Sequence, residues 1–84
     1  MYYFIEIHTI LSIIEEQIAV LRKQIAISEN MGGTTELLRE HHNELVIKRN
    51  ELQLRISELY SKKQIEEYTS MYNQYLNARS VEAN

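Results

Sequence analysis

Two adjacent histidines and their acidic neighbours are the residues of this sequence best suited to chemistry. His41 follows Glu40 and precedes Glu44 by three residues, so an imidazole and a carboxylate could share a helical surface and bind a metal ion or relay a proton. Metal sites in helical bundles usually use a Glu-x-x-His pair from each of two helices, and the sequence has no Glu-x-x-His. We therefore predict no metal site and interpret His41 and His42 as surface or seam residues.

Other catalytic patterns are also missing from the sequence. It has no cysteine, and all 12 acidic residues are Glu, which excludes cysteine nucleophiles, aspartic dyads and Asp-based magnesium sites. There is no Gly-x-Ser-x-Gly elbow, and Gly32-Gly33 is not followed by the Lys-Ser/Thr of a phosphate loop. We expect no catalytic residue, no cofactor and no enzymatic activity.

The composition predicts an all-helical protein that is too small to be very stable alone. The chain has 84 residues, no Pro and two Gly, and its abundant Glu, Leu, Lys and Arg are good helix formers. A chain this short buries only about 60% of its unfolded surface. Since disulfides are excluded, we expect self-association to supply the missing stability.

The charge of the chain does not favour polyanionic partners. The formal net charge is -3, so there is no overall basic field for nucleic acid. The apolar N-terminus is interrupted by Glu6 and His8 and is shorter than the ~20 residues of a membrane span. It also lacks the basic start of a signal peptide. We expect a small acidic cytoplasmic protein with no nucleic-acid partner and no membrane span.

The elements that position these residues are two long helices joined at Gly32-Gly33. We predict a single domain, 1–84, with a helix over about 5–29, a turn at 30–35 and a helix over about 36–79; a break near 61–63 is left open. The first helix carries a heptad seam. Ile10, Ile13 and Ala19 or Val20 widen it, which suits packing against more than one helix. The seam residues are Ile7, Leu11, Ile14, Ile18, Leu21 and Ile25.

The second helix completes an antiparallel, coiled-coil-like hairpin. Leu38, Leu45, Leu52 and Leu59 repeat every seven residues. A turn centred on the two glycines places residue i of the first helix opposite about 65 minus i of the second. The predicted hairpin core is Ile14, Ile18, Leu21, Leu45, Leu52 and Ile56.

Beyond about residue 63 the second helix therefore has no partner in the hairpin, yet its apolar stripe continues. The stripe could meet another subunit, fold back as a short third helix, or receive Tyr2, Tyr3 and Phe4 from a neighbour. We predict an oligomeric helical bundle. The predicted partner-binding residues are Tyr68, Met71, Tyr72, Tyr75 and Leu76.

A different use of the same tyrosines is binding of a nucleotide or similar small anion at a subunit junction. Aromatic faces stack on bases and cations hold phosphates, and the stripe is accompanied by Lys62, Lys63 and Arg79. This is the main alternative function.

Two protein families resemble the chain around its glycine turn. The segments Leu21-Arg22-Lys23-Gln24-Ile25, Gly32-Gly33-Thr34-Thr35 and His42-Asn43-Glu44-Leu45-Val46 look like the small helical hairpins that dephosphorylate response regulators in sporulation. Of that family's Ser-Gln-Glu-Leu-Asp signature, Glu44 and Leu45 carry over, and the resemblance implies a regulator of response-regulator phosphorylation. Over about residues 10–60 the chain is also similar to the small E-type co-chaperones of type III secretion needle proteins. We assign the chain to neither family.

The sequence thus predicts a non-enzymatic protein-interaction module that acts through a helical surface. An adaptor, an assembly co-chaperone or a small inhibitor would act through such a helical surface. The expected partners are copies of the chain itself and a helix of a partner protein.

Overall fold

A computed structural model of the protein describes the backbone of residues 2–83 and the side chains of residues 2–79. Over these residues the chain is all helical, as predicted, with helices α1 (Tyr2–Asn30), α2 (Glu36–Leu59) and α3 (Lys62–Ala83). Helices α1 and α2 pack against each other as a hairpin. The cross-hairpin pairs Phe4–Tyr60 and Arg22–His42 lie within one residue of the expected register.

The turn between α1 and α2 is a Schellman motif built on the first of the two glycines. Gly32 has φ +74°, a left-handed conformation that glycine adopts without steric cost. Its amide donates to the Glu29 carbonyl at 3.1 Å, and the Gly33 amide donates to the Ser28 carbonyl at 2.8 Å. These two bonds satisfy carbonyls that the helix end leaves free. Thr35 stands at the N-cap of α2 without a side-chain cap bond.

Helices α2 and α3 are separate because a second helix start is encoded at Ser61. The Ser61 hydroxyl accepts from the Gln64 amide at 3.1 Å, and the Gln64 side-chain oxygen accepts from the Ser61 amide at 2.9 Å. This reciprocal pair is a capping box. The preceding residue, Tyr60, is extended at φ -129° and ψ 143°, so the chain changes direction between the two helices.

The buried core belongs mainly to α1. Of the described side chains, eight apolar ones are buried and six of these lie on α1. The predicted core residues on α1 are all buried, whereas Leu45 and Leu52 are half-buried. A cluster of buried residues lies at the open end of the hairpin, where α3 starts. It consists of Phe4, Ile7, Leu11 and Ile56, with Leu52, Tyr60, Ile65 and Tyr68 packed against it.

The molecule is extended and thin. Its radius of gyration is 16.3 Å, whereas a compact domain of this length has about 12 Å. Its solvent-accessible surface is 6571 Å², about 1,300 Å² more than the ~5,200 Å² typical of a folded monomer of this mass. None of the helices over the described residues combines the length and the apolarity that crossing a membrane requires.

Candidate interaction surface

The inner half of the tyrosine stripe on α3 contacts α1 of the same chain. Tyr68 is half-buried, and its ring centroid lies 5.4 Å from that of Phe4 and 5.7 Å from that of Tyr60. Tyr72 is only 8% exposed, and its ring lies 4.6 Å from the ring of His8. The chain therefore folds back at this point, one of the three alternatives that the sequence left open, and covers two of the five predicted partner-binding residues itself.

The remaining three predicted partner-binding residues face solvent. We call Met71, Tyr75 and Leu76 the α3 outer stripe; they are 48%, 57% and 44% exposed, respectively. No described side chain of α3 beyond Tyr72 is buried. The outer half of α3 therefore presents apolar side chains that no other part of the described chain covers.

The predicted ligand site at the tyrosines is not assembled within one chain. Tyr68 and Tyr72 pack against Phe4 and His8, which leaves Tyr75 as the one exposed ring among the three. Lys62, Lys63 and Arg79 are exposed. A stacking site of several aromatic rings would therefore need rings from another molecule.

A second apolar face on α1 is also uncovered, and we call it the second seam. Its members recur three and four residues apart, as in a coiled-coil contact. The four aliphatic members are about half exposed, with Ile10 at 48% and Ile27 at 59%. The second seam consists of Ile10, Ile13, Gln17, Val20, Gln24 and Ile27.

The second seam borders a groove on one side of the hairpin. At the open end this groove runs between Ile10 of α1 and the side chains of Lys48 and Arg55 on α2. Towards the turn a second, separate depression lies between Val20 of α1 and His41 of α2. A further helix could therefore lie along the hairpin in contact with both α1 and α2.

The residue spacing of α1 carries a signal for this face. The spacing predicts that Ile10, Ile13 and Ala19 or Val20 widen the buried seam. The extension to Ile27 was missed because Gln17 and Gln24 interrupt the apolar pattern. Spacing alone would have revealed it, since the steps of three and four continue through both glutamines.

Two charged residues of α1 lie beside the second seam. Glu16 and Lys23 are exposed and seven residues apart, so they occupy equivalent positions two turns apart on the same face of α1. Among the described residues the structure records one ion pair, Arg39 with Glu29 near the turn. Glu16 and Lys23 are therefore available to pair with charges of another molecule.

His8 lies at the junction of α1 and α3 in an unusual environment. Its ring is 5.6 Å from Phe4 and 4.6 Å from Tyr72. Its Nδ1 atom is buried and has no hydrogen-bond partner among the described residues. The packing of the ring stabilises the junction. The buried Nδ1 lowers the stability of the fold, because it gives up hydrogen bonds to water without gaining one in the protein.

The adjacent histidines of α2, His41 and His42, lie apart from this junction. His41 is exposed beside the second depression, and His42 accepts a 3.4 Å hydrogen bond from Arg22 Nε. Over the residues that the structure describes, no three histidine or glutamate side chains gather closely enough to hold a metal ion.

Comparison with protein-family models, curated proteins and solved structures gave no match for this chain.

Proposed function

We propose that this chain is a non-enzymatic protein-interaction module that presents helical surfaces to other polypeptides and assembles with copies of itself. An adaptor, an assembly co-chaperone or a small inhibitor fits this description. The observation that supports it is the apolar surface left uncovered on two helices, the second seam of α1 and the α3 outer stripe.

The size of this uncovered surface favours association. The chain exposes about 1,300 Å² more than a compact monomer of its mass, whereas a typical stable interface buries about 800 Å² of each partner. Contiguous exposed apolar patches on soluble proteins usually mark interaction sites.

The spacing of the exposed residues favours a helix as the partner. An amphipathic helix is recognised through side chains at i, i+3, i+4 and i+7. The second seam has this spacing over its whole length, and the α3 outer stripe has it over one turn, since Tyr75 follows Met71 by four residues.

Light scattering tests the self-assembly in this proposal. We expect a dimer or larger assembly across a tenfold concentration range, and a melting temperature that rises with protein concentration, because mass action links association to stability. A mass of 10.0 kDa at every concentration would contradict it. The nucleotide-binding alternative instead predicts that added nucleotide raises the melting temperature and that changing Lys63 or Arg79 abolishes the rise.

A further inference from the structure

We infer that the second seam of α1 binds the same seam of a second copy of this chain, with the two α1 helices antiparallel about a two-fold axis. This inference rests on the proposed function, because it identifies the surface through which the chain assembles with itself. The partner is thus this chain, and the interface is specified by α1.

The dimensions of the second seam suit such a contact. From Ile10 to Ile27 the seam covers 17 helical steps, or about 25 Å at 1.5 Å per residue. The groove beside it lets an incoming α1 contact α2 as well, through Lys48 and Arg55. Two hairpins joined in this way form a four-helix arrangement, which buries a wider face than a single helix pair.

A two-fold axis requires that if residue i contacts residue j of the second copy, then j contacts i. The centre of the seam lies between residues 18 and 19. An axis at this point sets Ile10 opposite Ile27 of the second copy, and Gln17 opposite Val20 of the second copy. Aliphatic side chains then meet at both ends of the contact.

The charges beside the seam favour the antiparallel direction. The midpoint between Glu16 and Lys23 is residue 19.5, about one residue from the seam centre. An antiparallel pair therefore brings Glu16 of each copy near Lys23 of the other, twice. A parallel two-fold pair would place the Glu16 side chains of the two copies on opposite sides of the contact, and the same holds for Lys23, so Glu16 of one copy would not meet Lys23 of the other.

The first test places a charge in the centre of the proposed interface. Val20 is 53% exposed in the single chain, so Val20→Glu should keep the helix content while raising the dimer dissociation constant about 100-fold, because the new charge occurs twice and is desolvated. The matched control is Leu54→Glu, which changes a 59% exposed residue of α2 that does not line the groove. The control should leave the dissociation constant within about twofold of the original value.

A charge exchange tests the antiparallel direction. Glu16→Lys alone and Lys23→Glu alone should each weaken the dimer about tenfold, since each creates two like-charge pairs. The double variant should regain most of the original affinity, because the pairs are restored with exchanged signs. Lack of recovery would contradict the reciprocal pairing.

Disulfide trapping provides an independent test. Only the introduced cysteines can form disulfides, because the chain has no cysteine of its own. A mixture of full-length Ile10→Cys and Ile27→Cys proteins should form a mixed disulfide under mild oxidation. Ile27→Cys alone should not cross-link, because two copies of residue 27 would be about 25 Å apart along the antiparallel pair and a disulfide needs Cα atoms within about 7 Å. Efficient cross-linking of Ile27→Cys alone would show a parallel contact and overturn the inference.

The outcomes separate this inference from the proposed function. A dimer that withstands Val20→Glu but dissociates when Tyr75 and Leu76 are changed to Ser would refute the second seam as the interface and leave the interaction function supported. A protein that is monomeric at every concentration would overturn both. A dimer lost in Val20→Glu and kept in Leu54→Glu supports both.

Discussion

Replacing Phe4 by alanine should lower the free energy of unfolding by about 4 kcal/mol, the usual cost of removing a fully buried phenylalanine ring. Phe4 has no exposed surface, and its ring packs edge-on against both Tyr60 and Tyr68 at 5.4 Å. A domain of 84 residues has a total stability of about 4–13 kcal/mol. The substitution should therefore remove a third or more of the stability.

Phe4→Ala should weaken most the packing of α3 against the start of α1. Tyr60 and Tyr68 both pack on the Phe4 ring, and the chain turns into α3 between them. We expect Phe4→Ala to lose the near-ultraviolet circular dichroism of the tyrosines at a lower urea concentration than the helical signal at 222 nm. The near-ultraviolet signal reports mainly on tyrosine packing, because the chain has six Tyr and no Trp.

A matched control separates this local effect from general destabilisation. Ile18 is 2% exposed and lies further along the hairpin, so Ile18→Ala should cost about 2–5 kcal/mol with both signals lost together. All variants are measured at the same protein concentration, since association changes the apparent stability. A cost below about 1 kcal/mol for Phe4→Ala, or coincident loss of both signals in that variant, would refute the role of this ring in holding α3.

Four further predictions concern single side chains and are tested by urea unfolding followed at 222 nm. Tyr72→Ala should cost about 3 kcal/mol, because the ring is buried, whereas Tyr75→Ala should change stability by less than about 0.5 kcal/mol; equal losses would contradict the assigned orientation of α3. His8→Phe should stabilise the protein by about 1 kcal/mol, since it keeps a ring and removes an unpartnered nitrogen; a clear loss would mean that the nitrogen is hydrogen-bonded in solution. Leu52→Asn should cost a few kcal/mol, roughly 2–3, by placing an amide against the core; an effect below about 0.5 kcal/mol would show that this position is solvated. Gly32→Ala should cost about 1 kcal/mol because of its positive φ, and an unchanged midpoint would disprove the left-handed turn.

The start of α3 is encoded by a local sequence pattern. The segment Ser61-Lys62-Lys63-Gln64 is a capping-box pattern, and it predicts a new helix at this point from local residues alone. Helix-forming residues continue on both sides of it, so composition alone leaves a break near 61–63 open. The hydrogen bonds between Ser61 and Gln64 show why the local signal is effective.

The helical class, the hairpin and its register can all be predicted from the sequence. Each depends on local chemistry: the absence of Pro, the heptad repeats on both helices, and Gly32 at a position with positive φ. The buried positions on α1 also followed from spacing, since Ile14, Ile18 and Leu21 all point into the hairpin.

Which apolar residues of the wide helix faces are buried and which are exposed depends instead on contacts between the helices. Tyr72 and Tyr75 are three residues apart on one helical stripe, yet the first is buried and the second is exposed. The difference depends on the direction that α3 takes after Ser61, which the packing of Phe4 with Tyr60 and Tyr68 helps to set. Such contacts join residues distant in sequence, so periodicity can identify an apolar face but cannot tell which element covers it.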